Sequence, residues 1–286
     1  MDYLRQFLQR QNYPADAQTC LLESAEKLQN TPCAAAVFQQ YIADYRSGTL
    51  DYALANEAIG AAAPAAQVHP YTALLVFYIL LCEHLQTLYT AKKIAPEIFD
   101  NTVSDLRYKA QECFAVHGVW GTFVAFWNDG FFDCKRFGLG RLQYEISPLP
   151  CEGRIGEKIY PVGTEAINIH IPSSGPLRKA DCEASFAQAK SFFKKSPALF
   201  MCDSWLLYPA HRSFLPPHSS ILMLMDFFEI IAVRDYAEFR DAWRIFGKPA
   251  VAPYTDLPEN TSLQRAFAAW LRAGNPVGGA IGIFEL

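Results

Sequence analysis

The chain has 286 residues, 51% of them hydrophobic and 19% charged, with a formal net charge of −4. That apolar share excludes a disordered chain, and the slight acidic excess lacks the basic footprint of a nucleic-acid binder. The length fits one large domain or two ordinary ones.

The first residues, MDYLRQFLQRQ, mix charges with apolar side chains and hold no apolar h-region, so no signal peptide is expected. Ala15 to Leu28 carries Ala17, Leu21, Leu22, Ala25 and Leu28 at helical spacing. Thr31 and Pro32 open a second helix as N-cap and N1, and Gly48 ends it. A third helix spans Thr49 to Ala62. Tyr71 to Leu85 is apolar on nearly all sides and reads as the central helix of a bundle. Its longest unbroken apolar run, Ala73 to Cys82, is ten residues, half of the roughly 20 that a bilayer needs, so no membrane association is expected. Pro96 to Phe114 forms one more helix.

Near residue 130 the character changes. Residues 1–130 hold eight Lys/Arg against thirteen Asp/Glu, and residues 131–286 hold seventeen against sixteen. Glycines at 118, 121, 130, 138 and 140 break the helical rhythm there, which places a helical domain at 1–130 and a second domain at 131–286. In the second, Arg141 to Ile146 alternates as a half-buried strand, and Val162 to Ile171 does the same. A short strand is expected at Glu157–Tyr160 between them. Then follow a helix from Lys179 to Lys195, a strand from Ala198 to Leu207, a helix from Ser219 to Phe228 and a strand from Glu229 to Arg234. Tyr236, Phe239, Trp243 and Phe246 have helical spacing before Gly247. Thr261-Ser-Leu-Gln264 is a capping box opening a helix that ends at Gly274, and Val277 to Phe284 closes the chain as a strand.

Eight cysteines are scattered with no C-x-x-C pair, which signals neither a zinc knuckle nor a redox dithiol. Scattered thiols fit a reducing, cytoplasmic setting. His211 and His218 flank a proline-rich loop without a ligand partner at standard spacing, so no metal is expected. Gly138-Leu-Gly140-Arg141 holds Gly-x-Gly but precedes a strand, so it fails as a dinucleotide fingerprint.

The element order strand–strand–loop–helix–strand–helix–strand–helix–strand is similar to that of the GNAT N-acyltransferase fold. The segments RFGLGRLQYE, HIPSSGPL and CDSWLLYPAHRSFLPPHSSI together resemble a bacterial family of two-domain acyltransferase-like proteins. These join a helical acyl-CoA N-acyltransferase N-terminal domain to a GNAT-like C-terminal domain, and the resemblance covers nearly the whole chain. It implies an α+β protein, an all-helical domain followed by a mixed α/β domain with a mostly antiparallel sheet. It also implies an acyl-CoA-dependent N-acyltransferase, with acetyl-CoA or another acyl-CoA as co-substrate and a small-molecule or peptide amine as acceptor. A catalytically inactive GNAT-fold protein that binds a small molecule or a partner is the alternative.

In the GNAT fold the CoA pyrophosphate meets backbone N–H groups in the loop before a helix, where the helix dipole favours an anion. The matching residues here are Ser173, Ser174 and Gly175, with Arg178 and Lys179 adding charge. The loop has one glycine where the GNAT signature has two small residues, and Pro176 removes an N–H, so a plain turn is the competing reading. For the chemistry, Glu145 and His170 lie near the ends of two strands as candidate bases. Each also reads as an ordinary strand residue, with Glu145 paired to Arg141. Asp203 shares a face with Met201 and Trp205, which predicts burial and hence a partner. Tyr208 follows that strand as a candidate acid toward the leaving thiolate, or as a packing aromatic.

Overall fold

The computed structural model describes residues 1–286. It divides into two compact units, Met1–Gly138 and Leu139–Leu286, later in the chain than the change of composition near residue 130. The reason lies in the segment after the last long helix, which folds back on the first unit. Thr122 donates its N–H to Tyr71 O, and Tyr45 Oη donates to Phe132 O.

The first unit is helical: α1 (Asp2–Arg10), α2 (Ala15–Asn30), α3 (Pro32–Ser47), α4 (Tyr52–Ala62), α5 (Pro70–Ala91), α6 (Pro96–His117) and the single turn α7 (Asp129–Phe132). Proline at the first position opens α3, α5 and α6, where its missing N–H costs nothing. By length and composition α5 could cross a membrane, but most of its apolar window is buried inside the bundle. Leu75, Phe77, Tyr78, Ile79 and Leu81 on it are fully covered, as a central helix requires.

The strands are β1 (Phe137–Leu139), β2 (Leu142–Pro148), β3 (Gly153–Ile155), β4 (Lys158–Tyr160), β5 (Glu165–His170), β6 (Leu199–Ser204), β7 (Glu229–Tyr236) and β8 (Val277–Glu285). Between them lie α8 (Lys179–Phe192), α9 (His211–Phe214), α10 (Ser220–Met225), α11 (Trp243–Phe246) and α12 (Ser262–Arg272). Six strands form one sheet in the order β1-β2-β5-β6-β8-β7, and β3 and β4 form a separate hairpin. The β2/β5, β6/β8 and β7/β8 pairs are antiparallel, and β5/β6 is parallel.

Each face of this sheet is covered differently. On one, Phe200 and Phe284 stack at 4.8 Å, and Phe186 of α8 packs on both. Ser185 of α8 ties the helix down: it donates to Leu139 O at 2.5 Å, accepts from Leu142 N–H and bonds the Tyr144 hydroxyl. On the other face Tyr160 and Ile155 of the β3–β4 hairpin join a core with Leu149, Leu199, Met201, Ile281 and Ile283.

Several elements are shorter at their ends than the sequence reading, and two depart from it further. The strand expected over Ala198 to Leu207 stops at Ser204, whose side chain caps a tight turn over Trp205–Leu207. The helix expected from Tyr236 to Phe246 is mostly absent. Tyr236 instead ends β7, opposite Val277, and only one turn of α-helix survives, at Trp243–Phe246. Helical spacing of aromatics yielded here to the antiparallel ladder with β8, which binds the backbone N–H and C=O of alternate residues of β7.

Candidate active site

The parallel β5/β6 ladder is short. Ile167 pairs with Phe200 and Asn168 with Met201, and no pairing continues beyond. Ile169 and His170 on β5, and Cys202 and Asp203 on β6, therefore lie past the last rung, where the two strands part. This gap in the β5/β6 ladder ends the pairing between the two edges, and an edge without ladder pairing is one that a ligand can add to.

The antiparallel register sets Gln143 opposite His170 and Glu145 opposite Asn168. Opposed residues share a face, as do residues two apart on one strand, so these four form a polar patch on one face of the sheet. Within it Glu145 Oε1 lies 2.7 Å from His170 Nε2, and the side chains are only 17% and 15% exposed. Asn168 Nδ2 stands 3.4 Å from the same ring nitrogen. A carboxylate can only accept, so the nitrogen facing Glu145 carries the proton, and a neutral imidazole then keeps its lone pair on Nδ1. Arg141, the partner expected for Glu145, bonds three backbone carbonyls of the loop after His170.

Asp203 lies on the same face, since Met201, two residues before it, is opposite Asn168. It is exposed, not buried, and forms an ion pair with Arg234 of β7. The hairpin that covers Met201 leaves this end of the face uncovered, which is why the alternation of Met201, Asp203 and Trp205 misled. Tyr208 is buried, and its hydroxyl donates to Asp235 Oδ1 at 2.5 Å. Burial, with the carboxylate beside it, pushes the phenol up to about 12.

After His170 the chain turns through Ile171–Arg178 into α8. Ser173 and Gly175 are exposed, Ser174 is half-buried, and Arg178 and Lys179 are exposed at the helix start. Arg178 is the N-cap and its side chain caps nothing, which leaves the first-turn N–H groups of α8 available. The backbone N–H groups of Ser174, Gly175, Leu177 and Arg178 have no acceptor within the protein. The carbonyl side of the loop is held by Arg141: Nη1 donates to Pro172 O at 3.1 Å, Nη2 to Gly175 O at 2.6 Å and Nε to Pro176 O at 3.2 Å. Gly175 has φ +126°, a conformation side-chain-bearing residues rarely adopt.

The structure thus brings Glu145 and His170 together and sets the loop directly after them. Asp203 stands across the gap with Arg234, and Tyr208 is bonded away to Asp235. Arg141, Asn168, Arg234 and Asp235 were missed as site residues by sequence reasoning. Arg141 alone left a signal: a Gly-Arg turn ahead of a strand that carries the candidate base. Cys202 is fully buried and its thiol is pushed far up by that burial, so it is no nucleophile. His211 is buried among Trp205, Tyr208, Phe214 and Phe267, and His218 is exposed. No group of three or more His, Cys, Asp or Glu side chains is placed to hold a metal ion.

Residues 137–284 match the sequence model of the GNAT-like C-terminal domain, and residues 2–134 match that of the N-acyltransferase N-terminal domain. No curated protein matches the chain. Among solved structures, an acyltransferase in complex with decanoyl-CoA and teicoplanin aligns with a TM-score of 0.73 and 20% identity, over 99% of this chain and 87% of that one. An acyltransferase in complex with CoA and 10C-teicoplanin aligns with a TM-score of 0.75 and 20% identity, over the same shares of both chains. An acyltransferase in complex with decanoyl-CoA gives 0.73 and 22% identity, over 100% of this chain and 88% of that one. At such identity the likeness is one of fold.

Proposed function

The chain belongs to the family that carries the GNAT-like C-terminal domain, here preceded by the N-acyltransferase N-terminal domain, and on that premise we propose that it is an acyl-CoA-dependent N-acyltransferase. It moves an acyl group directly from CoA to an amine. The observation that carries this reading is the Glu145–His170 pair standing at the point where β5 and β6 part. The thioester lies along the open edge of β5, and the pyrophosphate lies on the Ser173–Gly175 loop, over the N–H groups of Ser174 and Gly175 and the start of α8, with Arg178 and Lys179 near it.

His170 takes a proton from the acceptor ammonium, and Glu145 holds the imidazole in place and stabilises the cation that forms. The freed amine attacks the thioester carbonyl; the C–N bond forms, the C–S bond breaks, CoA leaves as a thiolate, and the acylated nitrogen releases its surplus proton to water. A phenol near 12 is between three and four units weaker as an acid than a thiol of ~8.5. Tyr208 is therefore a poor donor to that thiolate, and the imidazolium of His170 returns the proton instead. Asp203, across the gap, attracts the positively charged acceptor before it is deprotonated.

Decanoyl-CoA and CoA in the similar structures support an acyl-CoA co-substrate, and teicoplanin in two of them supports a small-molecule or peptide acceptor. Eight free thiols favour a reducing compartment, the cytoplasm. The test is calorimetric titration and thermal shift with CoA and with acetyl-, octanoyl- and decanoyl-CoA. A donor at 100 times its Kd adds ~2.7 kcal/mol of stability. No heat and no shift with any of them, at concentrations above a millimolar Kd, leaves the non-catalytic alternative in its place.

A further inference from the structure

We infer that Arg141 is the positioning residue of the pyrophosphate loop, setting the direction of its backbone N–H groups; the inference rests on the acyl-CoA reading above. Arg141 is the second residue of the turn that joins β1 to β2, and Gly140, with φ +70°, supplies the left-handed first residue that a two-residue hairpin turn requires. A side chain at 140 would also meet Gln188 Oε1 at 3.2 Å and Ser185 Cβ at 3.4 Å. The register of β2 with β5 brings this turn beside the end of β5, because Gln143 is opposite His170. Arg141 is therefore delivered to the loop by two local facts, the turn and the register.

The guanidinium then makes three hydrogen bonds to the loop, to the carbonyls of Pro172, Gly175 and Pro176, at 2.6–3.2 Å. Its rigid, planar fork is suited to this: it fixes three acceptors at once, where an ammonium would act as a point. In a trans peptide the carbonyl of one residue and the N–H of the next point in opposite directions. With Pro172 O and Pro176 O drawn onto Arg141, the N–H ends of those two peptides are turned away from it, and the one on Leu177 has no acceptor within the protein. The remaining drawn carbonyl, Gly175 O, belongs to the peptide whose nitrogen is Pro176. The N–H that proline lacks is thus on a peptide whose orientation Arg141 already fixes, so Pro176 stiffens the loop at the cost of a single donor. One face of the loop consequently presents carbonyls to a cation, and the other presents donors to an anion.

The experiment compares the wild type with Arg141→Ala and Arg141→Lys on two probes, CoA and pantetheine, by calorimetry, with melting curves alongside. Pantetheine retains the thiol arm and lacks the pyrophosphate. In Arg141→Ala the Kd for CoA should rise about 10- to 100-fold, the scale of losing charge-assisted hydrogen bonds. The Kd for pantetheine should change less than about twofold, by the same principle, since no bond to it is touched. Arg141→Lys should recover part of the loss, because one ammonium replaces some of the three bonds. A variant that binds CoA as tightly as the wild type overturns the inference. So does a parallel loss of both probes, or a loss that simply follows the melting temperature, since either marks a role in folding alone. Wild-type protein that binds no CoA sinks the acyl-CoA reading first, and this inference with it; the wild-type arm identifies that case.

Discussion

Glu145 and His170 are 25 residues apart in the chain and 2.7 Å apart in the fold. Neither needs the other to form its strand. They meet because β2 and β5 are antiparallel neighbours with Glu145 opposite Asn168, one alternation from His170 on the same face. His170→Gln and Glu145→Gln should therefore leave the sheet standing and remove a base or its support. Turnover should fall about 10²- to 10⁴-fold in His170→Gln, the usual contribution of a general base. Glu145→Gln should fall less, since the imidazole remains. CoA affinity, read by calorimetry, should be unchanged in both. A His170→Gln enzyme that turns over at the wild-type rate would remove His170 from the chemistry.

Gly175 offers a second point of attack. Its φ is +126°, and a Cβ built there meets nothing within 4 Å. Gly175→Val therefore carries a backbone cost and no steric clash with the protein, a cost on the order of 1–3 kcal/mol. Any added side chain enters the space above the loop, where the phosphates are proposed to lie. CoA affinity should then fall by more than the stability loss accounts for. Arg178→Ala is the companion variant. It should weaken CoA more at low salt than at high salt, because a charge contact at an exposed side chain is screened over ~8 Å at 0.15 M. Equal effects at both ionic strengths would show that Arg178 does not act through its charge.

Alternation made most of the sheet legible, as period-two patterns in Arg141–Ile146 and in Val162–Ile171 show. It also put Glu145 and His170 on polar strand positions. What it could not supply was register, and register is what joins them. The same blindness explains Asp203. Its alternation with Met201 was read as burial, but whether a face is buried depends on where the β3–β4 hairpin lies across it, and its partner Arg234 is 31 residues further on. Arg141 escaped for a different reason. A guanidinium on backbone carbonyls leaves no paired acidic residue to notice in the sequence, so only the fold shows that Pro172, Gly175 and Pro176 all turn toward it.

The thiols give a prediction independent of any ligand. All eight cysteines are free; Cys33 is exposed, Cys20, Cys134 and Cys151 are half-buried, and the other four are buried. Reaction with an aromatic disulfide reagent in the native state should modify Cys33 first. Burial also raises the thiols of Cys82, Cys113, Cys182 and Cys202, which keeps them protonated and unreactive at neutral pH. These four should react only after unfolding, and the denatured, unreduced protein should yield eight thiols in total. Six or fewer in fresh protein would indicate a disulfide in the native state.

His211 makes the stability of the fold sensitive to mild acid. Its ring is 3% exposed and enclosed by Trp205, Tyr208, Phe214 and Phe267, with centroids 5.3–5.9 Å away. Its one backbone partner, Leu206 O, is 3.4 Å from Nδ1, too long to offset the loss of water around a cation. Burial therefore lowers its pKa from 6.5 to about 4. In the unfolded chain the ring titrates near 6.5, so between about pH 6.5 and pH 4 the unfolded state binds a proton that the native state does not. Stability is complete above that window and is lost as the pH falls through it, by an amount on the order of 3 kcal/mol once both states are protonated. Denaturant unfolding at pH 7.5, 6, 5 and 4.5 would trace this loss. His211→Phe keeps an aromatic ring in the aromatic cage and has nothing to titrate. Its profile should be flatter than that of the wild type between about pH 6.5 and 5, where few carboxylates change state. If the two profiles fall in parallel, the acid sensitivity lies in other groups and His211 is not its source.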